Sequence, residues 1–234
     1  MRITMIGHST VLVETSGKKI LTDPYFGTWG NLAYARPVPP AMSRQELQQV
    51  DGVLISHEHW DHVDGKFLRS LGDVPVIVPK LTRWLIRLFS GGELLGIAAW
   101  ESTSIGEITI TAVPAAHITS TVGYVLQGEE KQVYFAGDSY YRPFMRDIGN
   151  KFQLDVALMP VTTYRLPMTM GEEQAVRAAQ DLKAAVVIPI HLGLRPRSPL
   201  LRTDQTPEHF AKRMGEQGVK CQVVILAEGE SWTL

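Results

Sequence analysis

The chain has 234 residues, of which 44% are hydrophobic and 20% charged, so it can bury one large core or two small ones. Its 23 basic and 24 acidic side chains give a formal net charge of −1, which supplies no general field for nucleic acid or a membrane, although a local basic patch is compatible with it. The single cysteine, Cys221, excludes an internal disulfide framework and a cysteine-rich zinc module. No stretch approaches the roughly 18 apolar residues of a membrane span, and the N-terminus has no continuous apolar signal region, so the expected location is the cytoplasm.

The first fifty residues predict short strands joined by turns, because the segments RITMI, TVLVE and KKILT alternate apolar and polar side chains. Residues 26–40 are rich in Gly, Pro and aromatic residues without a period, which predicts a long loop with a role in binding. Ser43, with Glu46 three residues later, predicts a capping box and a short helix. The apolar segment VDGVLIS then predicts a buried strand.

The segment LTRWLIRLF predicts an amphipathic helix whose apolar stripe packs in the core while two arginines face solvent. The stripe consists of Leu81, Trp84, Leu85 and Leu88, and the arginines are Arg83 and Arg87. From residue 97 to 135 the pattern predicts a strand meander, and after it strands such as LDVALMPV and AAVVIPI alternate with helices such as GEEQAVRAAQDLK. Together these patterns predict an α+β fold with a sheet-on-sheet core and helices outside, in a single domain spanning residues 1–234.

The run HEHWDH places three histidines and one aspartate within six residues, directly after the apolar strand VLIS. In an extended or turning segment, residues two apart point the same way, so His57 and His59 can share one metal ion. Asp61 and His62 follow a further bend and can reach a second ion beside the first. Imidazole nitrogens and carboxylate oxygens suit zinc, and they also suit manganese or iron.

Three further polar residues each follow an apolar strand. His117 follows ITITAVPAA, Asp138 follows VYFAG, and His191 follows AAVVIPI. Active sites are commonly assembled from single side chains that strand ends deliver to one rim of a rigid scaffold. The resulting five histidines and two aspartates are enough for two divalent metal ions that share one carboxylate and a water.

Two cations about 3.5–4 Å apart lower the pKa of a bridging water from about 15.7 to about 7, which yields hydroxide at neutral pH. They also polarise the substrate oxygen and stabilise charge in the transition state. The expected activity is therefore metal-dependent hydrolysis without a Ser, Cys or Lys nucleophile, with Asp61 and Asp138 as the catalytic carboxylates.

HEHWDH resembles the His-x-His-x-Asp-His signature of the metallo-β-lactamase superfamily. The segments GHSTVLVE, ILTDPYF, AAH at His117, YFAGDS and VVIPIH occur in that superfamily's order, so the resemblance covers nearly the whole chain. It implies a four-layer αβ/βα sandwich with the metals at one edge of the paired sheets. By the same resemblance one metal is bound by His57, His59 and His117, the other by Asp61, His62 and His191, and Asp138 bridges them.

Within the superfamily, the motifs resemble an ascorbate-phosphate lactonase branch and the branch of the phospholipase D that hydrolyses N-acylphosphatidylethanolamine. The resemblance favours a small phosphorylated substrate: a phosphate ester, a phosphodiester or a phosphorylated lactone. Candidate substrate contacts are Arg36, Tyr164 and Arg195, since arginines clamp phosphate well. His8, which follows Gly7 at a strand end, is expected to orient a metal ligand, with direct binding as the alternative.

Two rival hypotheses stay open. The same metals suit a thiolester or acyl hydrolase, because they stabilise a tetrahedral transition state equally well. A non-catalytic regulatory protein could also keep the site, since metal binding contributes folding free energy whether or not it catalyses. Zinc is the first expectation for the metal, with manganese or iron as alternatives.

Overall fold

The computed structural model describes all 234 residues, Met1–Leu234. It contains sixteen strands, five α-helices and one short 3-10 helix at Pro199–Leu201. The strands are β1 Arg2–Gly7, β2 Thr10–Thr15, β3 Lys18–Thr22, β4 Tyr34–Ala35, β5 Gly52–Leu54, β6 Val76–Pro79, β7 Leu94–Ile97, β8 Ser102–Ile105, β9 Ile108–Pro114, β10 Val122–Gly128, β11 Lys131–Phe135, β12 Val156–Pro160, β13 Val186–Ile190, β14 Arg195–Pro196, β15 Gln222–Val223 and β16 Ser231–Thr233. The helices are α1 Gly65–Ser70, α2 Arg83–Ser90, α3 Phe144–Lys151, α4 Glu172–Leu182 and α5 Pro207–Glu216.

Two seven-stranded sheets form the framework. The first has the order β16-β1-β2-β3-β5-β6-β7, and the second has the order β15-β13-β12-β11-β10-β9-β8. In the first sheet β1, β2 and β3 are antiparallel, and the strands from β3 to β7 are parallel. In the second, β8 to β11 are antiparallel, and β11, β12, β13 and β15 are parallel. Each sheet therefore has a set of parallel strands whose carboxyl ends lie at one edge.

Three apolar clusters divide the molecule into four layers. The largest lies between the sheets and combines first-sheet residues such as Ile3 and Leu54 with second-sheet residues such as Ile110 and Leu158. A second cluster packs α3, α4 and α5 against the outer face of the second sheet, and a third packs α1 against the first sheet, with Ile86 of α2. The αβ/βα sandwich that the sequence resemblance implied is therefore confirmed.

The parallel strands are apolar throughout because both of their faces are covered. Every residue of β12 and β13 is buried, between the inter-sheet core on one side and the helices on the other. β8, at the edge of the second sheet, instead buries only Ile105. This contrast explains why β12 and β13, the second of which leads to His191, are continuous apolar runs rather than alternating segments.

Two local predictions were wrong. Residues 44–49 form turns rather than a helix, although the Ser43 N–H donates to the Glu46 carboxylate and the Glu46 N–H donates to the Ser43 hydroxyl, as in a capping box. α2 forms as predicted, but Leu81, Trp84 and Leu88 are exposed instead of packed in the core. Helical spacing identifies the residues that share a face, but it does not identify what covers that face.

Two buried tyrosines of the second sheet differ in how their hydroxyls are satisfied. Tyr124 crosses the inter-sheet layer, and its hydroxyl donates to the Ile55 carbonyl of the first sheet at 2.7 Å. The Tyr134 hydroxyl is also buried but has no hydrogen-bond partner. Tyr124 therefore ties the two sheets together, whereas Tyr134 carries the cost of an unpaired polar group.

We expect Tyr124→Phe to lower the free energy of unfolding by about 1.5 kcal/mol, because it leaves a buried carbonyl without its donor. Tyr134→Phe, the matched control, is expected to be neutral or stabilising, because it removes only an unsatisfied hydroxyl. Urea denaturation of both variants measures the difference. An equal loss of stability in the two variants would contradict this account.

Candidate metal centre

The predicted site residues lie where strands end at the common edge of the two sheets. In the first sheet, His8 follows β1, and His57 comes three residues after β5. In the second sheet, His117 follows β9, Asp138 follows β11, and His191 follows β13 directly. Because the sheets face each other across the core, these residues from distant parts of the chain meet at one rim.

The backbone is unusual at several of these strand ends. His8, Asp23 and His191 have φ values of 61°, 32° and 64°, in a region that side chains other than glycine seldom adopt. The His191 N–H donates to the His8 carbonyl at 2.9 Å, so two of these residues fix each other. Strained conformations of this kind persist only where the surroundings hold them, and they cluster at functional sites.

One glycine is required beside the site. Gly137 has a φ of 55°, and a Cβ placed there would lie 2.5 Å from the Cβ of Ser56. A side chain would therefore push the strand end that carries Asp138 away from the strand end that carries His57.

Four side chains form the first group of candidate ligands. The nitrogens of His57, His59 and His117 and a carboxylate oxygen of Asp138 lie within 4.8 Å of one another. His117 Nε2 is 3.3 Å from His59 Nδ1. These are the three histidines that the sequence resemblance assigned to one metal, together with the predicted bridging carboxylate.

The second group consists of His8, Asp61, His62 and His191, whose ligand atoms also lie within 4.8 Å of one another. His8 Nε2 is 3.3 Å from Asp61 Oδ2. His8 thus stands beside a predicted ligand, at a distance that suits either an orienting role or direct binding. The structure brings all seven predicted ligands and His8 together.

Asp138 lies between the two groups. Its Oδ2 atom is 3.1 Å from His191 Nε2, 3.2 Å from His62 Nε2 and 3.9 Å from His57 Nε2. A single carboxylate therefore faces histidines of both groups, which is the position that a bridging ligand requires.

Asp23 orients the cluster, although no pattern in the sequence identified it as a site residue. Its Oδ2 atom is 2.6 Å from His62 Nδ1, and its carboxylate also accepts the Ser56 N–H and hydroxyl. The Ser56 hydroxyl in turn lies 2.9 Å from His57 Nδ1. With Nδ1 occupied on both rings, the Nε2 atoms of His57 and His62 are left to face the cluster.

Burial and neighbouring charge set the protonation of these groups. Burial lowers the pKa of His57 well below its usual value, and burial with the nearby His191 lowers the pKa of His8 to about 3. Burial also opposes a charge on His62, but the carboxylates of Asp138, Asp23 and Asp61 raise its pKa well above the usual range.

Neighbouring histidines favour the ionised form of the two predicted catalytic carboxylates. Burial opposes their charge, but His191 and His62 hold the pKa of Asp138 well below its usual range, and His62 and His8 lower the pKa of Asp61. Ionised carboxylates are ligands and hydrogen-bond acceptors rather than proton donors.

The donor set fits a divalent cation. Several buried polar atoms here have no hydrogen-bond partner: His8 Nδ1, His57 Nε2, His62 Nε2, His117 Nδ1 and Asp138 Oδ1. Buried polar groups in folded proteins are otherwise almost always paired, so these orphans indicate a missing partner. Imidazole nitrogens and carboxylate oxygens are the ligands that zinc, manganese and iron accept.

A cavity of about 200 Å³ opens beside the cluster. Four candidate ligands line this cavity: His59, Asp61, Asp138 and His191. No Lys or Arg lines it. The rest of its wall is apolar or aromatic: Tyr34, Trp60, Ile118, Tyr164, Met168 and Leu194. Trp60, which alternates with the ligands in HEHWDH, also lines the cavity.

The three predicted substrate contacts have different surroundings. Arg36 is buried, and its guanidinium donates to the Tyr25, Gly27 and Val38 carbonyls, so it holds the loop at 26–40 together and does not line the cavity. Tyr164 lines the cavity, and its hydroxyl donates to the Leu194 carbonyl. Arg195 is exposed and lines a neighbouring pocket of about 470 Å³.

Comparison with known proteins agrees with this geometry. The family described as Beta-lactamase superfamily domain matches residues 18–192. A metal-dependent hydrolase of the UPF0173 group from Methanopyrus kandleri is 32% identical over 260 residues, covering 99% of each chain. Another from Pyrococcus furiosus is 32% identical over 246 residues and covers all of both chains.

The chain belongs to the metallo-β-lactamase superfamily of metal-dependent hydrolases. Solved structures show the same fold: Igni18, a metallo hydrolase from Ignicoccus hospitalis, has a TM-score of 0.79 at 25% identity and covers 100% of this chain and 98% of its own. An isothiocyanate hydrolase from Delia radicum gut bacteria has a TM-score of 0.82 at 22% identity, covering 100% and 99%. This hydrolase is therefore an enzyme whose His and Asp clusters can bind metal.

We expect Asp23→Asn to weaken zinc binding by the hydrolase about 10- to 100-fold, because removing the carboxylate that orients a ligating histidine typically costs that much. Competition with a chromophoric chelator measures the affinity. Asp51→Asn is the matched control, since Asp51 pairs with Lys18 on the surface, far from the ligands in the fold. Unchanged affinity in a folded Asp23→Asn protein would show that Asp23 does not support the site.

Proposed function

We propose that this hydrolase binds two divalent cations through seven side chains and cleaves a neutral acyl bond, as in an ester, thiolester or lactone. The observation that carries the proposal is the pair of ligand groups that meet at the Asp138 carboxylate. The ligands are His57, His59 and His117 for one cation, Asp61, His62 and His191 for the other, and Asp138 for both. Zinc is the first candidate, with manganese or iron as alternatives.

When bound, two such cations supply an activated water at neutral pH and polarise the substrate's oxygen. The chain's own residues hold and shape the site. Asp23 fixes the His62 ring, and we assign His8 the same task for Asp61, because its Nε2 atom lies 3.3 Å from that carboxylate. Asp61 and Asp138 stay ionised and therefore act as ligands rather than as acids.

The cavity wall supports a neutral substrate with an apolar substituent. Six apolar or aromatic residues surround the space beside the ligands, and no cationic side chain lines it. A hydrophobic wall adds binding energy for apolar groups and offers nothing to a phosphate beyond the metals themselves.

Tyr34 is the side chain that we assign to the substrate's oxygen. It lines the cavity, and its hydroxyl makes no hydrogen bond within the protein, unlike the hydroxyl of Tyr164. Burial, and next the charge of Asp61, raise the pKa of Tyr34, so this hydroxyl keeps its proton and can donate it in a hydrogen bond. A donor aimed at developing negative charge stabilises the transition state.

A phosphorylated substrate is the second candidate, and a specific observation favours it. The pocket of about 470 Å³ next to the cavity shares Tyr164, His191 and Leu194 with it and carries two arginines, Arg195 and Arg202. A phosphate on a remote part of the substrate would find its counter-charge there. For both candidates we propose a small-molecule substrate and a cytoplasmic location for the enzyme.

A chromogenic panel separates the candidates. The zinc- or manganese-loaded enzyme is expected to turn over p-nitrophenyl butyrate and a thiolester at least tenfold faster, in kcat/KM, than bis-p-nitrophenyl phosphate. Asp61→Asn should abolish turnover, and Tyr34→Phe should lower kcat/KM about tenfold through loss of one donor. Arg195→Gln should leave acyl turnover unchanged.

Two other outcomes would contradict cleavage of an acyl bond. Faster cleavage of the phosphodiester, reduced by Arg195→Gln, would favour the phosphoryl reaction. No turnover of any substrate by a fully metal-loaded protein would favour the non-catalytic metal-binding role.

A further inference from the structure

The first helix pair exposes an apolar stripe that nothing in the chain covers. On and next to α2, Leu81, Trp84 and Leu88 are 76%, 66% and 71% exposed. Trp84 and Leu88 are four residues apart and so share one face of α2, and Leu81 lies in the turn that leads into the helix. Phe89 is exposed beside them, and Ile86 and Ser90 are the residues that anchor α2 to the protein. Exposed apolar patches of this kind mark interaction sites in folded proteins.

The stripe continues into a groove between α1 and the end of α2. The groove has a volume of about 550 Å³, and its apolar wall is formed by Leu88, Phe89, Val63, Trp60 and Tyr25. Trp60 also lines the cavity beside the candidate ligands. The exposed apolar surface therefore extends from α2 to the residue that borders the site.

The charge around the stripe is positive although the whole chain carries −1. No Asp or Glu occurs between Asp73 and Glu93, whereas that segment contains Lys80, Arg83 and Arg87. α1 adds Lys66 and Arg69, which line the groove. Lys66, Arg83 and Arg87 form no ion pair, while Lys80 pairs with the exposed Glu101 and Arg69 donates to the Phe89 carbonyl.

The acidic side chains that line the groove are already engaged. Asp64 accepts two bonds from Arg44 and caps α1 through the Phe67 N–H, and Glu58 accepts the Thr119 hydroxyl. They do not neutralise the cations of α2.

This combination disfavours a second copy of the chain as the partner. A two-fold interface would place the stripe against itself, and the unpaired arginines of one copy would face those of the other. Like charges brought together across an interface cost several kcal/mol of binding free energy.

We propose that the α2 stripe docks the enzyme on an anionic lipid surface. A lipid headgroup layer satisfies both features at once, because its negative charges pair with the arginines while the Trp and Leu side chains enter the acyl boundary. Docking would hold Trp60 and the adjacent cavity near the bilayer. None of the helices is long and apolar enough to cross a membrane, so this contact is with the surface only.

Vesicle flotation of the full-length protein tests the proposal. The probes are vesicles of phosphatidylcholine alone and of phosphatidylcholine with 30% phosphatidylglycerol, each at low and at physiological salt. We expect binding to the anionic vesicles that falls as salt rises. Trp84→Ser with Leu88→Ser should lower binding more than tenfold. Arg83→Gln with Arg87→Gln should lower it about 25-fold, since each surface cation contributes about fivefold.

Leu32→Ser with Leu200→Ser is the matched control, because these two leucines are also exposed but lie outside the stripe. The control should bind as the wild type does. Failure of the wild type to bind anionic vesicles would overturn the proposal, as would equal binding by the α2 variants. Light scattering on the same samples tests whether a second copy of the chain covers the stripe instead. If the wild type is a dimer and Trp84→Ser with Leu88→Ser makes it a monomer, the stripe is a dimer interface and the lipid proposal is wrong.

Discussion

The carboxylate of Asp138 is surrounded by imidazole nitrogens, and the rest of the site is arranged to hold them there. Nε2 atoms of His62, His191 and His57 lie within 4 Å of its Oδ2 atom, and all four side chains are buried. Burying so many polar atoms without partners costs several kcal/mol in a folded chain. A divalent cation removes that cost, because binding satisfies the orphaned nitrogens and oxygens and adds its own free energy to folding.

The fold meets this requirement by bringing strand ends together. Parallel strands in both sheets end at one edge, and four of them, β3, β5, β11 and β13, lead to Asp23, His57, Asp138 and His191. The left-handed backbone at His8, Asp23 and His191 turns these side chains inward as the strands end, and the ties from Asp23 and Ser56 fix the rings of His62 and His57. The ligands are thus held by the rigid sheets, and the loops at 26–40 and 192–205 contribute Tyr34 and Leu194 to the cavity wall. These loops are joined by the short pairing of β4 with β14 and by the bonds of Arg197 to the Asn31 and Trp29 carbonyls.

The sequence predicts the ligands well because they depend on short-range order. Spacing within HEHWDH and a single polar residue after each apolar strand are both visible in the chain, and the layered sandwich follows from the family resemblance. Asp23 escaped notice because an Asp before a Pro reads as the end of a strand, and only the folded chain brings it to His62. Arg36 looked available for substrate because the carbonyls that occupy it come from an aperiodic loop. The exposed face of α2 was misassigned because periodicity cannot say whether another layer lies above it.

Metal content per chain tests the account most directly, on protein purified without chelator and supplied with zinc or manganese. We expect about two ions in the wild type. We expect one or fewer in Asp138→Ala, and two in Asp155→Ala, whose carboxylate pairs with Lys131 outside the site. Less than half an equivalent in the wild type, unchanged by added metal, would contradict the metal centre. Two ions retained in Asp138→Ala would contradict the bridging role of that carboxylate.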